Sequence, residues 1–250
     1  MESYDETTYG ERISGIYDEL YSEFDEKSIE TLAELAQGGP ALELGIGTGR
    51  IALLLRQKGV EVHGIDASES MIGKLRAKPG GEDIPVAIGD FSKVAIQGQF
   101  SLVYVVFNTF YALLTQEAQI NCFKHVAKHL SLDGVFVLEV FVPDMTRFTD
   151  QQTFRAINLD ENRIQLDASR HHPVKQQVMS QHIFITGEGI RMYPVKLRYA
   201  WPSELDLMAR LAGLELRHRW GDWDQSEFAA DSGKHISVYG SQAVSECSLT

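Results

Sequence analysis

The chain has 250 residues, 44% of them hydrophobic, which suits one α/β domain with elaborations. Its 23 Lys and Arg stand against 35 Asp and Glu, a net charge of −12 that disfavours the basic face needed to grip a phosphate backbone, so nucleic acid is an unexpected substrate. The cysteines, Cys122 in a predicted helix and Cys247 in the tail, show neither metal-ligand nor disulfide spacing. No stretch nears the ~20 apolar residues of a membrane span, and the acidic opening MESYDETTYGERI is unlike a signal peptide. A cytoplasmic protein without membrane partners or bound metal is expected.

From Tyr9 to Gln37, Ile13, Ile16, Tyr17, Leu20, Tyr21 and Phe24 fall at helical spacing, followed by Ile29, Leu32, Leu35 and Ala36. Two helices are predicted, stopped by Gly38-Gly39 ahead of Pro40. Strands and helices then alternate. ALELG precedes a helix from about Arg50 to Lys58, and VEVHGID precedes one from Glu69 to Ala77. IPVAIGD follows, then FSLVYVVF, a helix over Gln116 to Leu130, and the strand GVFVLEVFV. Near-continuous apolar strands between amphipathic helices indicate an α/β fold with a parallel sheet covered on both faces. After Pro143 the texture changes. TFRAINL, RIQLDASRHH, QQVMSQHIFIT and IRMYPVKLRYAW are strands of mixed polarity, forming an antiparallel insertion after strand five. The helical PSELDLMARLAGL and the strands ELRHRWGDW and KHISVYGSQ return to the main layer, giving segments 1–39, 40–143, 144–201 and 202–250.

The stretch ALELGIGTGRIALLL is a strand, a glycine turn and a helix, a form that several nucleotide cofactors use. A Walker loop needs a lysine that is missing here. Dinucleotide binding needs a third small residue where Arg50 stands, and Glu43 would repel pyrophosphate. An acid at that strand end suits a cationic cofactor, S-adenosylmethionine, with glycines letting the chain pass close beneath it.

Here the sequence resembles the class I S-adenosylmethionine-dependent methyltransferases. Their ExGxGxG motif is present as ELGIGTG, with Glu43, Gly45 and Gly47. The resemblance implies that Asp66 in GIDAS, followed by Ala67, grips the ribose hydroxyls. It also implies that Asp90 in IGDFSKV lies beside the adenine, with Phe91 next to the ring. It covers roughly Leu42 to Val142 and implies a doubly wound, mostly parallel seven-stranded sheet. The alternative for Asp90 is a simple turn cap. Met71 packs near the adenine or in the core, and Arg50 reaches the cofactor carboxylate or is solvated.

The methyl acceptor is expected above strands one, four and five, bordered by Phe107, Asn108, Phe110 and Tyr111. No NPPY-type motif, the mark of nucleic-acid amino-methyltransferases, occurs there. The N-terminal helix brings Tyr9 as a lid residue, and Tyr17 either meets the sulfonium or forms a packing stripe with Tyr21. In layout the chain is similar to the bacterial amino-sugar N,N-dimethyltransferases and related small-molecule enzymes. In that comparison residues 1–39 are a helical lid, 40–143 the cofactor-binding core, 144–201 a substrate cap and 202–250 the closing part of the core. Those relatives carry a histidine after strand four, a candidate base, where this chain reads Phe110-Tyr111-Ala112, so either Tyr111 replaces that base or no base is needed.

His171 and His172 are either a turn-forming pair or a base brought by the insertion. His125 and His129 share a helix face without a third ligand, a surface or boundary pair. Arg170, Arg198, Trp201 and Trp223 are acceptor-pocket candidates or ordinary packing residues. The expectation is methyl transfer to nitrogen or oxygen of a small molecule, with Tyr9, Asn108 and Tyr111 around the reacting methyl; a homodimer is compatible with it. The alternatives are aminopropyl transfer on the same fold, for which no extra acidic cluster follows strand four, and a non-catalytic accessory subunit.

Overall fold

The apolar runs become the strands of a central sheet in the computed structural model, which describes residues 4–21, 24–93 and 96–242. These strands are β1 (Ala41–Leu44), β2 (Val62–Asp66), β3 (Val86–Ile88), β4 (Phe100–Val105) and β5 (Leu130–Phe141), with β10 (Leu214–Trp220) and β11 (Lys234–Ser241) returning at the end. Their spatial order is β10-β11-β5-β4-β1-β2-β3. β1 to β5 pair in parallel, while β11 runs antiparallel to both its neighbours. The chain order reverses between β1 and β4, and in open α/β sheets a crevice forms outside the strand ends at such a point.

Strand alternation assigns the two faces. Leu42, Leu44, Val103, Val105, Phe136 and Leu138 pack under α6 (Gln116–His129) and α7 (Pro202–Leu211), through Phe123, Val126, Leu205 and Met208. Ala41, Leu102, Tyr104 and Val137 face α3 (Glu26–Ala36) and α4 (Ala52–Gln57), through Ile29, Leu32, Ala52 and Leu55. α5 (Glu69–Arg76) is capped by Ser68, whose hydroxyl accepts from Met71 N. Thr115 caps α6 in the same way through Ala118 N.

The N-terminal segment differs from expectation. Its first apolar run is two short helices, α1 (Thr8–Ile13) and α2 (Tyr17–Leu20), rather than one. Gly15, a poor helix former, lies in the break, and the freed turn carries Asp18 to the glycine turn, where it accepts from Thr48 Oγ1 and pairs with Lys78 at 2.8 Å. α1 is tied to the start of α5 through Glu11, which accepts from Ser68 Oγ, Ser70 N and Ser70 Oγ. β5 also starts earlier than predicted, because Leu130 leaves α6 directly into pairing with Phe100.

The insertion is a separate antiparallel sheet, ordered β6 (Gln152–Leu159), β7 (Arg163–His172), β8 (Gln177–Thr186) and β9 (Gly189–Arg198). Phe184 and Tyr193 from this sheet pack with Ile13 and Met71, so the insertion and the N-terminal helices close over the same end of the central sheet. Among the described residues no helix is long and apolar enough to cross a membrane. Cys247 lies outside the described residues.

Candidate active site

β1 runs into a turn in which Gly45 and Gly47 have φ of +74° and +54°. A Cβ on Gly45 would stand 2.5 Å from Thr109 Cγ2, so the turn lies tight against the loop after β4 and only glycine fits. β2 ends in Asp66, whose Oδ2 accepts from Gly47 N at 2.8 Å and Oδ1 from Ser68 N at 2.9 Å. Burial raises the Asp66 pKa above the ordinary value. After β3, Asp90 accepts from Ser92 N and Ser92 Oγ, at 2.8 and 2.7 Å.

These parts surround one cleft. Gly45, Gly47, Asp66, Ala67 and Met71 form one side, Asp90 and Phe91 another, and Tyr9 and Tyr17 cover it from the N-terminal helices. Thr109, Ala112, Leu113 and the segment Tyr4–Glu6 also line it; sequence reasoning missed these because nothing in their residue types marks them.

A second cleft of about 420 Å³ adjoins the first and shares Tyr4, Tyr9, Tyr17, Thr109 and Ala112 with it. Phe107, Asn108 and Phe141 supply its floor, and Arg50 enters from the glycine turn. The Arg50 guanidinium lies 3.9 Å from the Phe107 ring centroid and donates to Tyr21 O at 2.8 Å. The insertion contributes Arg147, Asp167, Ser180, His182, Val195, Lys196 and Leu197. Sequence reasoning missed this group, although polar residues two apart on neighbouring strands were the available sign. Tyr9 spans both clefts, its hydroxyl 3.4 Å from that of Tyr21. Burial drives the Tyr9 pKa far up, and burial tempered by Arg50 pushes that of Tyr17 up to about 12.

Several expected residues are placed elsewhere. Tyr111 is fully buried in the core, edge-on to Phe141, and its hydroxyl donates to Ala200 O at 2.8 Å. It lines neither cleft. The fold needs that hydroxyl to satisfy a buried carbonyl. Asn108 reaches the second cleft, but its Oδ1 accepts from Phe141 N at 2.6 Å, and its φ of +64° belongs to a tight turn. It is a clamp between the β4 loop and β5. Arg198 is buried in a network with Gln119 and Glu204, and Trp223 is buried under α3. Trp201 is exposed and Arg170 lies in an outer groove of the insertion; none of these four lines either cleft. His171 is stacked on Phe148 and bonded to Tyr199, and His172 accepts from Lys175 N in the turn. His129 contacts His125 O and Ile96 O at the edge of α6.

Glu43 also lines neither cleft. Alternation along β1 turns it to the α4 side, where it is 4% exposed and accepts from Tyr104 Oη at 2.9 Å. Burial raises its pKa from 4.5 to about 8, against the opposing pull of Tyr104 and Arg50. The folded chain therefore holds this proton more tightly than the unfolded one. The resulting stabilisation is complete below about pH 4.5 and is lost as pH rises toward 8. Denaturant titrations should show the wild type losing about 2–3 kcal/mol relative to Glu43→Gln between about pH 5 and 7. Parallel stability curves for the two proteins would contradict this.

A glycine turn at the switch point, two strand-end acids and a roofed second cleft define a nucleoside-cofactor enzyme of the methyltransferase type. The methyltransferase-domain family matches residues 41–134. The structure of the CcbJ methyltransferase from Streptomyces caelestis is similar at 39% identity and a TM-score of 0.88, covering 96% of this chain and 100% of that one. The cypemycin N-terminal methyltransferase of a Streptomyces species is 26% identical over 210 residues, 80% of this chain and 82% of that protein. CalS10, an amino pentose methyltransferase from Micromonospora echinaspora, shares the fold at 20% identity and a TM-score of 0.66, over 89% of this chain and 96% of that one. The chain belongs to the class I S-adenosylmethionine-dependent methyltransferases, with S-adenosylmethionine as its cofactor.

Proposed function

We propose that the protein methylates nitrogen in a small-molecule amine. The observation that carries this reading is the second cleft. It opens onto the cofactor cleft through shared Tyr9, Tyr17 and Thr109, and its volume of about 420 Å³ falls in the range of small-molecule sites. A roof made by the insertion and a net charge of −12 both disfavour a nucleic-acid acceptor. Relatives whose names state an acceptor, the cypemycin N-terminal and amino pentose methyltransferases, support an amine.

The first cleft fits the cofactor. A carboxylate accepts about four hydrogen bonds, and Asp66 uses two on Gly47 and Ser68, leaving capacity for a ribose diol. Bare Gly47, whose added Cβ would meet nothing nearer than 4.0 Å, leaves room for a ligand above the turn. Phe91 and Met71 offer an apolar slot beside Asp90 for a purine. When bound, S-adenosylmethionine supplies an electrophilic methyl on a cationic sulfur. The chain's own part is to hold the acceptor in line with that methyl and exclude water, and proximity of this kind supplies much of an enzyme's rate. Tyr9, Tyr17 and the N-terminal helices act as the lid, residues 40–143 as the cofactor core and residues 144–201 as the cap.

The test is formation of S-adenosylhomocysteine with a panel of benzylamine, glucosamine and glycylglycine, against matched hydroxyl compounds such as benzyl alcohol and glucose. Turnover confined to the amines is expected. Turnover confined to the hydroxyl compounds would replace this reading with O-methylation.

A further inference from the structure

We propose that His182 is the catalytic base that accepts the proton of the methyl acceptor, and that Asp167 is the residue that positions it. This rests on the amine reading above and names the group that reaction requires. An alkylammonium has no lone pair, so nitrogen must lose a proton to become a nucleophile.

The groups facing the second cleft leave one candidate. Arg50, Arg147 and Lys196 are cations with no site for a proton. The Tyr4, Tyr9 and Tyr17 phenols are held protonated, since burial pushes each of them upward. The Tyr21 hydroxyl is occupied by that of Tyr9, 3.4 Å away. That leaves the pair on the insertion. Asp167 on β7 and His182 on β8 are cross-strand partners, so their side chains share the face turned to the cleft. His182 Nδ1 is buried and lies 3.0 Å from Asp167 Oδ2, in contact but outside hydrogen-bond geometry.

Asp167 is itself fixed. Its Oδ1 accepts from Ser169 Oγ, and that hydroxyl is 2.6 Å from Ser180 Oγ on the next strand. Burial would raise the Asp167 pKa, but His182, Ser169 and Arg147 outweigh it and keep the carboxylate ionised. An ionised carboxylate facing Nδ1 favours the Nδ1–H tautomer, which leaves a lone pair on Nε2. Among the described residues Nε2 has no hydrogen-bond partner within the protein and is not buried. The proton balance is complete. The acceptor N–H proton moves to Nε2, the nitrogen lone pair forms the N–CH3 bond, and the C–S electron pair returns to sulfur as S-adenosylhomocysteine leaves.

The experiment combines a spectroscopic and a kinetic arm on the full chain. Nitrogen-15 NMR of labelled protein, with His182 assigned by its loss in His182→Ala, should show the Nδ1–H tautomer in the wild type and its loss in Asp167→Asn. With whichever panel amine turns over, His182→Ala should lower kcat about 100-fold while S-adenosylmethionine affinity by calorimetry stays unchanged, and added imidazole should restore turnover. Asp167→Asn should lower kcat less, with KM unchanged. An Nε2–H tautomer, kcat within about threefold of wild type, or no rescue by imidazole would each overturn the assignment. If no panel compound turned over, the amine reading would fail, and the tautomer would still decide the arrangement of the pair.

Discussion

Asp66→Ala is expected to weaken S-adenosylmethionine binding by about 10²–10⁴-fold. The carboxylate lines the first cleft and is held in place by Gly47 N and Ser68 N before any ligand arrives. Hydrogen bonds to a charged acceptor contribute about 1.5–3 kcal/mol each, and a ribose diol would make two. Each 1.4 kcal/mol is about a factor of ten in affinity. The substitution also frees two backbone donors and loosens the turn from the start of α5. Asp66→Asn keeps one acceptor oxygen and should lose less. Calorimetry on folded variants, checked by their melting curves, measures this directly. A dissociation constant within about threefold of wild type for Asp66→Ala would show that ribose is held elsewhere.

The parts legible in the sequence share one property: they depend on local chain geometry. The order of strands and helices followed from apolar periodicity. The glycine turn, Asp66 and Asp90 were readable because a strand end and the turn after it fix where their side chains go, and all of them line the first cleft. The four insertion strands were readable from their turns DEN, HHP and GEG. The chemistry of the second cleft was not. Asp167 and His182 are fifteen positions apart and meet only because β7 and β8 pair in one register of several that their sequences permit. His171 was the more visible histidine, but it stands four residues further along the same face of β7 and meets Phe148 and Tyr199 instead. Tyr111 misled for a related reason. It occupies the right loop in sequence, but the 3-10 turn Thr109–Ala112 rotates it inward to Ala200, and Thr109 and Ala112 face the cleft instead. Glu43 shows the same limit at shorter range, since a four-residue strand buried on both faces gives no polar side from which to read its direction.

Arg198→Ala should destabilise the protein by about 3–5 kcal/mol, because the residue joins the insertion to the core through buried charge. Arg198, 5% exposed at the end of β9, donates to Gln119 Oε1 on α6, to Glu204 Oε1 on α7 at 2.7 Å and to Gln176 Oε1 at 3.2 Å. Glu204 also accepts from Gln116 and Gln176, both at 2.7 Å, and Gln119 returns a hydrogen bond to Arg198 O. Burial alone would raise the Glu204 pKa, but these donors outweigh it and hold it below 4.5. Removing the guanidinium leaves a carboxylate, 17% exposed, without its counter-charge. The variant should therefore melt about 6–20 °C lower, with the fall greatest at neutral pH. The wild type loses the Glu204 contribution only as pH drops through the folded-state value, so the two proteins should converge in acid. Replacing the pair together, Arg198→Met with Glu204→Leu, should recover most of the loss, since burial of apolar groups of similar volume removes both desolvation costs. A melting point for Arg198→Ala within about 2 °C of wild type would mean that the cap is held on the core by its apolar contacts alone.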